Sequence, residues 1–130
     1  MKKHRHNAKI IWFTGLSGAG KSTLSNKIYK NFQKKKIKIK KIDGDLFRKK
    51  NKTTKNFSKK GIVQNNLNII KEIKKIRYKY DLILVSVISP FLITRKFARK
   101  TFKNFYLEVH VFCKVKTLIK RDTKGLYKKA

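Results

Sequence analysis

The segment from Lys9 to Thr23, KIIWFTGLSGAGKST, constrains the fold more than any other part of the chain. Ile10 to Phe13 form a short apolar run that reads as a buried strand. The run passes directly into Gly15-Leu16-Ser17-Gly18-Ala19-Gly20-Lys21-Ser22, which has the G-x-x-x-x-G-K-S spacing of a phosphate-cradling loop. The glycines let backbone N–H groups converge on phosphate oxygens, and a helix opening at the end of the loop adds the positive end of its dipole. In such a loop the Lys21 ammonium reaches the β- and γ-phosphates and the Ser22 hydroxyl faces Mg²⁺. A Gly-rich turn between unrelated elements is the alternative; the strand pattern before the loop and the helical pattern after it argue against that.

Helical spacing follows at once: Leu24, Ile28 and Phe32 fall nearly on one face, predicting a helix from Ser22 to about Lys34. Ile37 to Ile42 mostly alternates, as suits a second strand with one exposed face, and Asp43-Gly44-Asp45 stands at its end. Leu46 to Lys50 reads as a helical turn and Asn51 to Lys60 as a polar loop carrying Phe57. The positions of Ile62, Leu67, Ile70, Ile73 and Ile76 predict a helix from Gly61 to Tyr78. Leu82 to Ile88 is a near-continuous apolar run, the pattern of a central parallel strand, closed by Ser89-Pro90. Phe91 to Thr101 reads as a basic helix, Tyr106 to Phe112 as a fourth strand, Lys114 to Arg121 as a short helix and Asp122 to Ala130 as a basic tail. Residues 1–8 are a basic N-terminal tail, and 9–130 form one domain.

Strands alternating with helices imply right-handed crossovers and an α/β, P-loop-type parallel sheet of about four strands with helices on both faces. Ligands of such sheets sit beyond the carboxyl ends of the strands. Gly15–Ser22, Asp43–Asp45 and Ile88–Pro90 are therefore expected on one rim.

Lys and Arg number 37 against 6 Asp and Glu, for a formal charge of +31. One reading is a nucleic-acid or other polyanion partner, bound through phosphate neutralisation. The other is compositional, because the lysines occur at 34–41, 49–60, 71–79 and 114–129 rather than in a confined patch. Nonspecific polyanion binding follows under either. The single cysteine, Cys113, excludes an internal disulfide framework. No apolar stretch approaches the roughly 20 residues of a membrane span, and the run after Met1-Lys2-Lys3 is too short for a signal peptide. The expected setting is the cytoplasm, with no membrane partner. His4 and His6, without further ligands nearby, read as solvated side chains.

Two of the six acids sit in the tripeptide Asp43-Gly44-Asp45. On the residues alone this is either a turn after a strand, where Asp and Gly are favoured for local reasons, or a pair placed for chemistry.

Several blocks taken together resemble the adenylyl-sulfate kinase (APS kinase) family of P-loop kinases. They are Ile11 to Thr23 (I-W-F-T-G-L-S-G-A-G-K-S-T), Asp43 to Arg48 (D-G-D-L-F-R), Phe57-Ser58, Val87 to Phe91 (V-I-S-P-F) and Arg121 to Ala130 (R-D-T-K-G-L-Y-K-K-A), in the family's order. The resemblance implies ATP-dependent phosphoryl transfer to the 3′-hydroxyl of adenylyl sulfate, a step of sulfate assimilation, with ATP and Mg²⁺ as cofactors. It implies that Gly15, Ser17, Gly18, Ala19, Gly20, Lys21, Ser22 and Thr23 hold the ATP phosphates and that Arg121 packs on the ATP adenine. Lys21 and Asp45 carry catalysis: Asp45 accepts the substrate hydroxyl's proton or steers a magnesium-bound water, and Ser22 ligates the metal. Substrate binding falls to Asp43, Arg48, Phe57, Asn65, Ile88, Ser89, Pro90, Lys124, Gly125 and Leu126. The alternatives are a surface cation at Arg48, a satellite core contact at Phe57 and a solvated basic tail at 121–126.

The chain also departs from the family. Where its members usually read D-R-x-E-N-x-R-R, residues 61–68 are G-I-V-Q-N-N-L-N, with Ile62, Leu67 and Asn68 at arginine positions and Gln64 at a glutamate. Leu92 stands at a further arginine position and Thr94 at an acid. Neither Ile nor Lys replaces a bidentate arginine, so weaker phosphosulfate binding, or another small hydroxyl substrate, is expected. A non-catalytic nucleotide- or polyanion-binding remnant is the remaining alternative. Relative to the family the domain is expected to be short at its C-terminus, without a lid or fifth strand. That makes 105–113 a sheet edge and predicts homo-oligomerisation through it, or marginal stability.

Overall fold

The computed structural model describes residues 7–15, 20–50 and 58–112. In chain order the elements are β1 (Lys9–Thr14), α1 (Lys21–Gln33), β2 (Ile39–Asp43), α2 (Gly44–Lys50), α3 (Lys59–Ile76), β3 (Leu82–Ser86), α4 (Leu92–Phe102) and β4 (Tyr106–His110). Short 3₁₀ turns at Arg77–Lys79 and Lys103–Phe105 precede β3 and β4. The strands form one parallel sheet in the order β2-β3-β1-β4. Trp12 sits at its middle, opposite Val85 on one side and Glu108 on the other. Parallel neighbours cannot be joined by tight turns, so helical crossovers carry the chain back each time.

Side-chain alternation divides the sheet into two faces. Ile10 and Trp12 of β1 and Ile83 and Val85 of β3 meet Ile69, Ile70 and Ile73 of α3 and Ala98 and Phe102 of α4. Each fully buried isoleucine there contributes roughly 1.5–3 kcal/mol. Phe13 and Leu84 point to the other face and are also buried. Helix α1 packs against β1, β2 and β3 and adds nothing to the first cluster, so helices lie on both faces. Ala8, expected in the tail, is fully buried and donates its N–H to the Arg77 carbonyl at 3.0 Å. The packed domain therefore includes Ala8.

Several boundaries differ from the sequence expectation, each for a local reason. β2 begins at Ile39 rather than Ile37, because the Lys38 N–H is taken by Asp81 Oδ2 at 2.8 Å. Helix α2 starts at Gly44, not Leu46, because Asp43 Oδ1 accepts from the N–H groups of Asp45 (2.9 Å) and Leu46 (3.4 Å). Helix α3 starts at Lys59, so Lys59 and Lys60 are helical rather than loop; Ser58 Oγ caps it by accepting from Gly61 N at 3.2 Å. It gives way to the 3₁₀ turn after Ile76. β3 ends at Ser86 rather than Ile88, because Asn66 takes the Ile88 carbonyl out of the ladder. Helix α4 is shifted by one residue, with Phe91 as its N-cap, and β4 ends at His110 rather than Phe112. The expected helix at 114–121, the tail at 122–130, Cys113, His4 and His6 lie outside the described residues.

β4 is tied to α4 through Glu108. Its carboxylate accepts from the Tyr106 hydroxyl at 2.8 Å and Arg95 Nη1 at 3.1 Å, with Arg99 Nη2 at 3.7 Å. Burial, and then Glu108 beside it, push the Tyr106 phenol above its ordinary value, so it stays neutral and donates. Among the described residues no helix is long and apolar enough to cross a membrane.

Candidate active site

β1 delivers its chain end to the rim at Thr14 and Gly15. Gly15 has φ +148°, and a Cβ there would lie 2.5 Å from the Val111 carbonyl oxygen. Val111 in turn donates its N–H to Thr14 O at 2.8 Å, which draws the end of β4 against the loop. Helix α1 then opens behind Gly20 with no side-chain cap, an arrangement in which the first-turn N–H groups serve an anion. Lys21 is buried, and its ammonium donates to Gly15 O at 2.9 Å, lying back across the base of the loop. Ser86, at the end of β3, donates its hydroxyl to Lys21 O at 3.4 Å and anchors the start of α1 to the sheet.

A hydrogen bond joins the head of α1 to the end of β2: Ser22 Oγ donates to Asp43 Oδ2 at 3.0 Å. The other oxygen of Asp43 caps α2. Asp43 is thus a local cap, as a turn after a strand would have it, and it also stands on the rim beside Ser22. Asp45, in the first turn of α2, lies 3.6 Å from Arg48 Nη1, and Arg48 is only 5% exposed. Gly44 between the two acids touches the end of β3 so closely that a Cβ would lie 2.5 Å from Val87 Cγ2.

The loop after β3 completes the rim. Ser89 is buried, and its carbonyl accepts from Thr14 Oγ1 at 3.1 Å; Ile88 is half-buried and Pro90 exposed. From beneath, Asn65 donates to Gly44 O at 3.2 Å and Asn66 to Ile88 O at 3.4 Å. At the positions of departure, Ile62 is buried, Leu92 is exposed, and Thr94 Oγ1 donates to Phe91 O at 3.0 Å in the first turn of α4. Lys59 Nζ lies 5.3 Å from the Phe91 ring centroid, placing a cation at this edge.

The fold therefore gathers Gly15, Gly20, Lys21, Ser22, Asp43, Asp45, Arg48, Asn65, Ile88, Ser89 and Pro90 around the carboxyl ends of β1, β2 and β3, with Thr23 exposed on α1. Ser17, Gly18, Ala19, Phe57, Arg121, Lys124, Gly125 and Leu126 lie outside the described residues. Sequence reading passed over Thr14, Ser86 and Asn66. The first two carried a signal, each being a hydroxyl that closes an apolar strand; Asn66 carried one as a polar break in the apolar stripe of α3.

Chemically, the rim offers a hydroxyl and a carboxylate oxygen at the head of an anion-binding helix. Among the described residues no three His, Cys, Asp or Glu side chains gather to hold a metal. A hydroxyl and one or two carboxylates fit Mg²⁺ nonetheless, since that ion is bound by few protein oxygens together with substrate phosphates.

The adenylylsulphate kinase family model matches residues 7–130. The chain is 36% identical over 121 residues to the Archaeoglobus fulgidus protein named probable adenylyl-sulfate kinase, covering 93% of this chain and 77% of that one. It is 40% identical over 120 residues to the protein of the same name from Pyrococcus abyssi, covering 92% and 68% respectively. Among solved structures it is similar to the Mycobacterium tuberculosis APS kinase in complex with AMPPNP and APS. That likeness has a TM-score of 0.86 at 31% identity and covers 95% of this chain and 73% of that one.

Proposed function

The chain belongs to the adenylylsulphate kinase family, and from that premise we propose that it transfers the γ-phosphate of ATP to the 3′-hydroxyl of adenylyl sulfate. One observation carries the reading at the level of the site: the 3.0 Å contact between Ser22 Oγ and Asp43 Oδ2 at the head of α1. It brings a hydroxyl and a carboxylate from two loops to the point where a P-loop holds a magnesium triphosphate.

Ser22 Oγ would hold Mg²⁺ directly, with Asp43 and Asp45 reaching it through water. When bound, the ion neutralises charge on the β- and γ-phosphate oxygens. Residues 15–23 hold the phosphates, and Lys21 exchanges the Gly15 carbonyl for charged phosphate oxygens, a stronger partner for an ammonium. Asp45 accepts the proton of the 3′-hydroxyl as its oxygen bonds to the γ-phosphorus. The bond from that phosphorus to the bridging oxygen breaks, and ADP leaves with the electron pair. Arg48 orients Asp45 and meets the phosphosulfate, while Asn65, Ile88, Ser89 and Pro90 border the acceptor. Phe57 stacks on the acceptor's adenine, which supplies about 1–3 kcal/mol; Arg121 lies against the ATP adenine, and Lys124, Gly125 and Leu126 touch the acceptor.

The test is ATP-dependent phosphorylation of adenylyl sulfate by the purified chain, compared with Lys21→Ala. The variant should lose at least about 10²-fold in turnover, the scale for removing one preorganised charge-stabilising donor. Equal turnover in the two proteins would refute the assignment.

β4 has a hydrogen-bonded neighbour on one side only among the described residues, and Leu107 within it and Phe112 just after it are exposed. We infer that this edge pairs with a second copy of the chain.

A further inference from the structure

Helix α3 turns an isoleucine stripe to the core: Ile62, Ile69, Ile70 and Ile73 are all buried. At the two positions that continue this stripe stand Asn65 and Asn66, which are 1% and 0% exposed. Packing alone asks for apolar residues here, because a buried amide costs free energy unless its hydrogen bonds are made. Each asparagine makes one bond in particular. Asn65 Nδ2 donates to Gly44 O, between the two rim acids, and Asn66 Nδ2 donates to Ile88 O, the residue before Ser89. The Oδ1 atoms of both, and Ser89 Oγ, are buried with no hydrogen-bond partner among the described residues. The helix thus tolerates an unfavourable pair of side chains whose donors reach the turns after β2 and β3, and consecutive residues reach the two turns from a single turn of helix.

We propose that Asn66 is a positioning residue for phosphoryl transfer. Together with Asn65 it brackets both acceptor-side turns onto α3, and so fixes where Ser89 and Pro90 stand relative to Asp43 and Asp45. A shift of about 1 Å between groups that hold a reactant costs up to 10²-fold in rate, which is why a latch this far from the phosphate matters. The proposal rests on the kinase reading for its kinetic consequence but not for its structural one.

The experiment compares the full chain with Asn66→Leu, which removes the donor and restores the apolar stripe, and with Asn66→Ala, in case leucine overpacks. Hydrogen exchange followed by mass spectrometry should speed up across residues 87–91 while β1 and β3 exchange as before. The KM for adenylyl sulfate should rise about tenfold with the KM for ATP unchanged, a split that general loosening would not produce. Unchanged exchange at 87–91 in both variants, or equal acceleration throughout the sheet, would overturn the latch. Local acceleration with an unchanged acceptor KM would overturn its role in positioning. If the unsubstituted chain fails to phosphorylate adenylyl sulfate, the kinase reading falls, and the exchange result still decides the latch.

Discussion

Asp43 divides its carboxylate between two partners, with Oδ1 capping α2 and Oδ2 receiving the Ser22 hydroxyl. A substitution can separate these roles. Asn equals Asp as an N-cap, so Asp43→Asn should leave unfolding free energy within about 0.5 kcal/mol of the parent. If Asp43 supports Mg²⁺ as proposed, removing its charge should raise the Mg²⁺ concentration for half-maximal turnover about 10- to 100-fold, the usual effect of losing an outer partner of a metal site. Urea unfolding and a magnesium titration of turnover check both halves. A Mg²⁺ requirement unchanged in Asp43→Asn would mean that the carboxylate serves α2 alone. Asp45 is placed differently, with its Oδ1 3.6 Å from Arg48 Nη1, a contact that holds the carboxylate in one orientation at the start of α2.

At the scale of elements, β4 and α4 are joined chiefly by Glu108, which receives the Tyr106 hydroxyl and two guanidinium groups. Its side chain is only 16% exposed, so water screens these contacts weakly. Glu108→Gln keeps the hydrogen bond to Tyr106 and loses the charge, and should destabilise the fold by about 1.5–3 kcal/mol, visible as a lower urea midpoint. A midpoint that does not move would show the cluster to be dispensable. The elements themselves were largely legible, because Ile10 to Phe13 and Leu82 to Val85 are unbroken apolar runs and α1, α3 and α4 repeat apolar residues at helical spacing. What the chain does at the ends of these elements was not, since it depends on partners distant in sequence. Asp81 removes Lys38 from β2 and Asn66 removes Ile88 from β3; the early start of α2 is local instead, set by the capping oxygen of Asp43. The rim was legible as three loops, from the rule that ligands collect at the carboxyl ends of parallel strands. Its fastening by Thr14, Ser86 and Asn66 was only hinted at: a hydroxyl closing an apolar strand and a polar break in an apolar stripe mark these positions, but the partners they tie lie 22 to 75 residues away in sequence.

For the whole molecule, the formal charge of +31 and the edge of β4 that has no neighbour among the described residues act against each other. Repulsion between copies extends about 10 Å in 0.1 M salt and about 3 Å in 1 M. Sedimentation velocity should therefore show monomers at low salt and concentration-dependent association as salt rises. A monodisperse monomer at every salt concentration would contradict pairing through β4. The same charge predicts nonspecific attraction to polyanions that fades over this range. The account as a whole turns on chemistry at the rim, where a hydrogen bond from Ser22 to Asp43 joins the head of α1 to the Asp-Gly-Asp turn. Its most direct measurement is the transfer of labelled γ-phosphate from ATP to adenylyl sulfate by the purified chain, with and without Mg²⁺. The account predicts label in a 3′-phosphorylated product, dependent on Mg²⁺ and lost in Lys21→Ala. A well-folded chain that transfers no label, or transfers it equally well without Lys21, would contradict it.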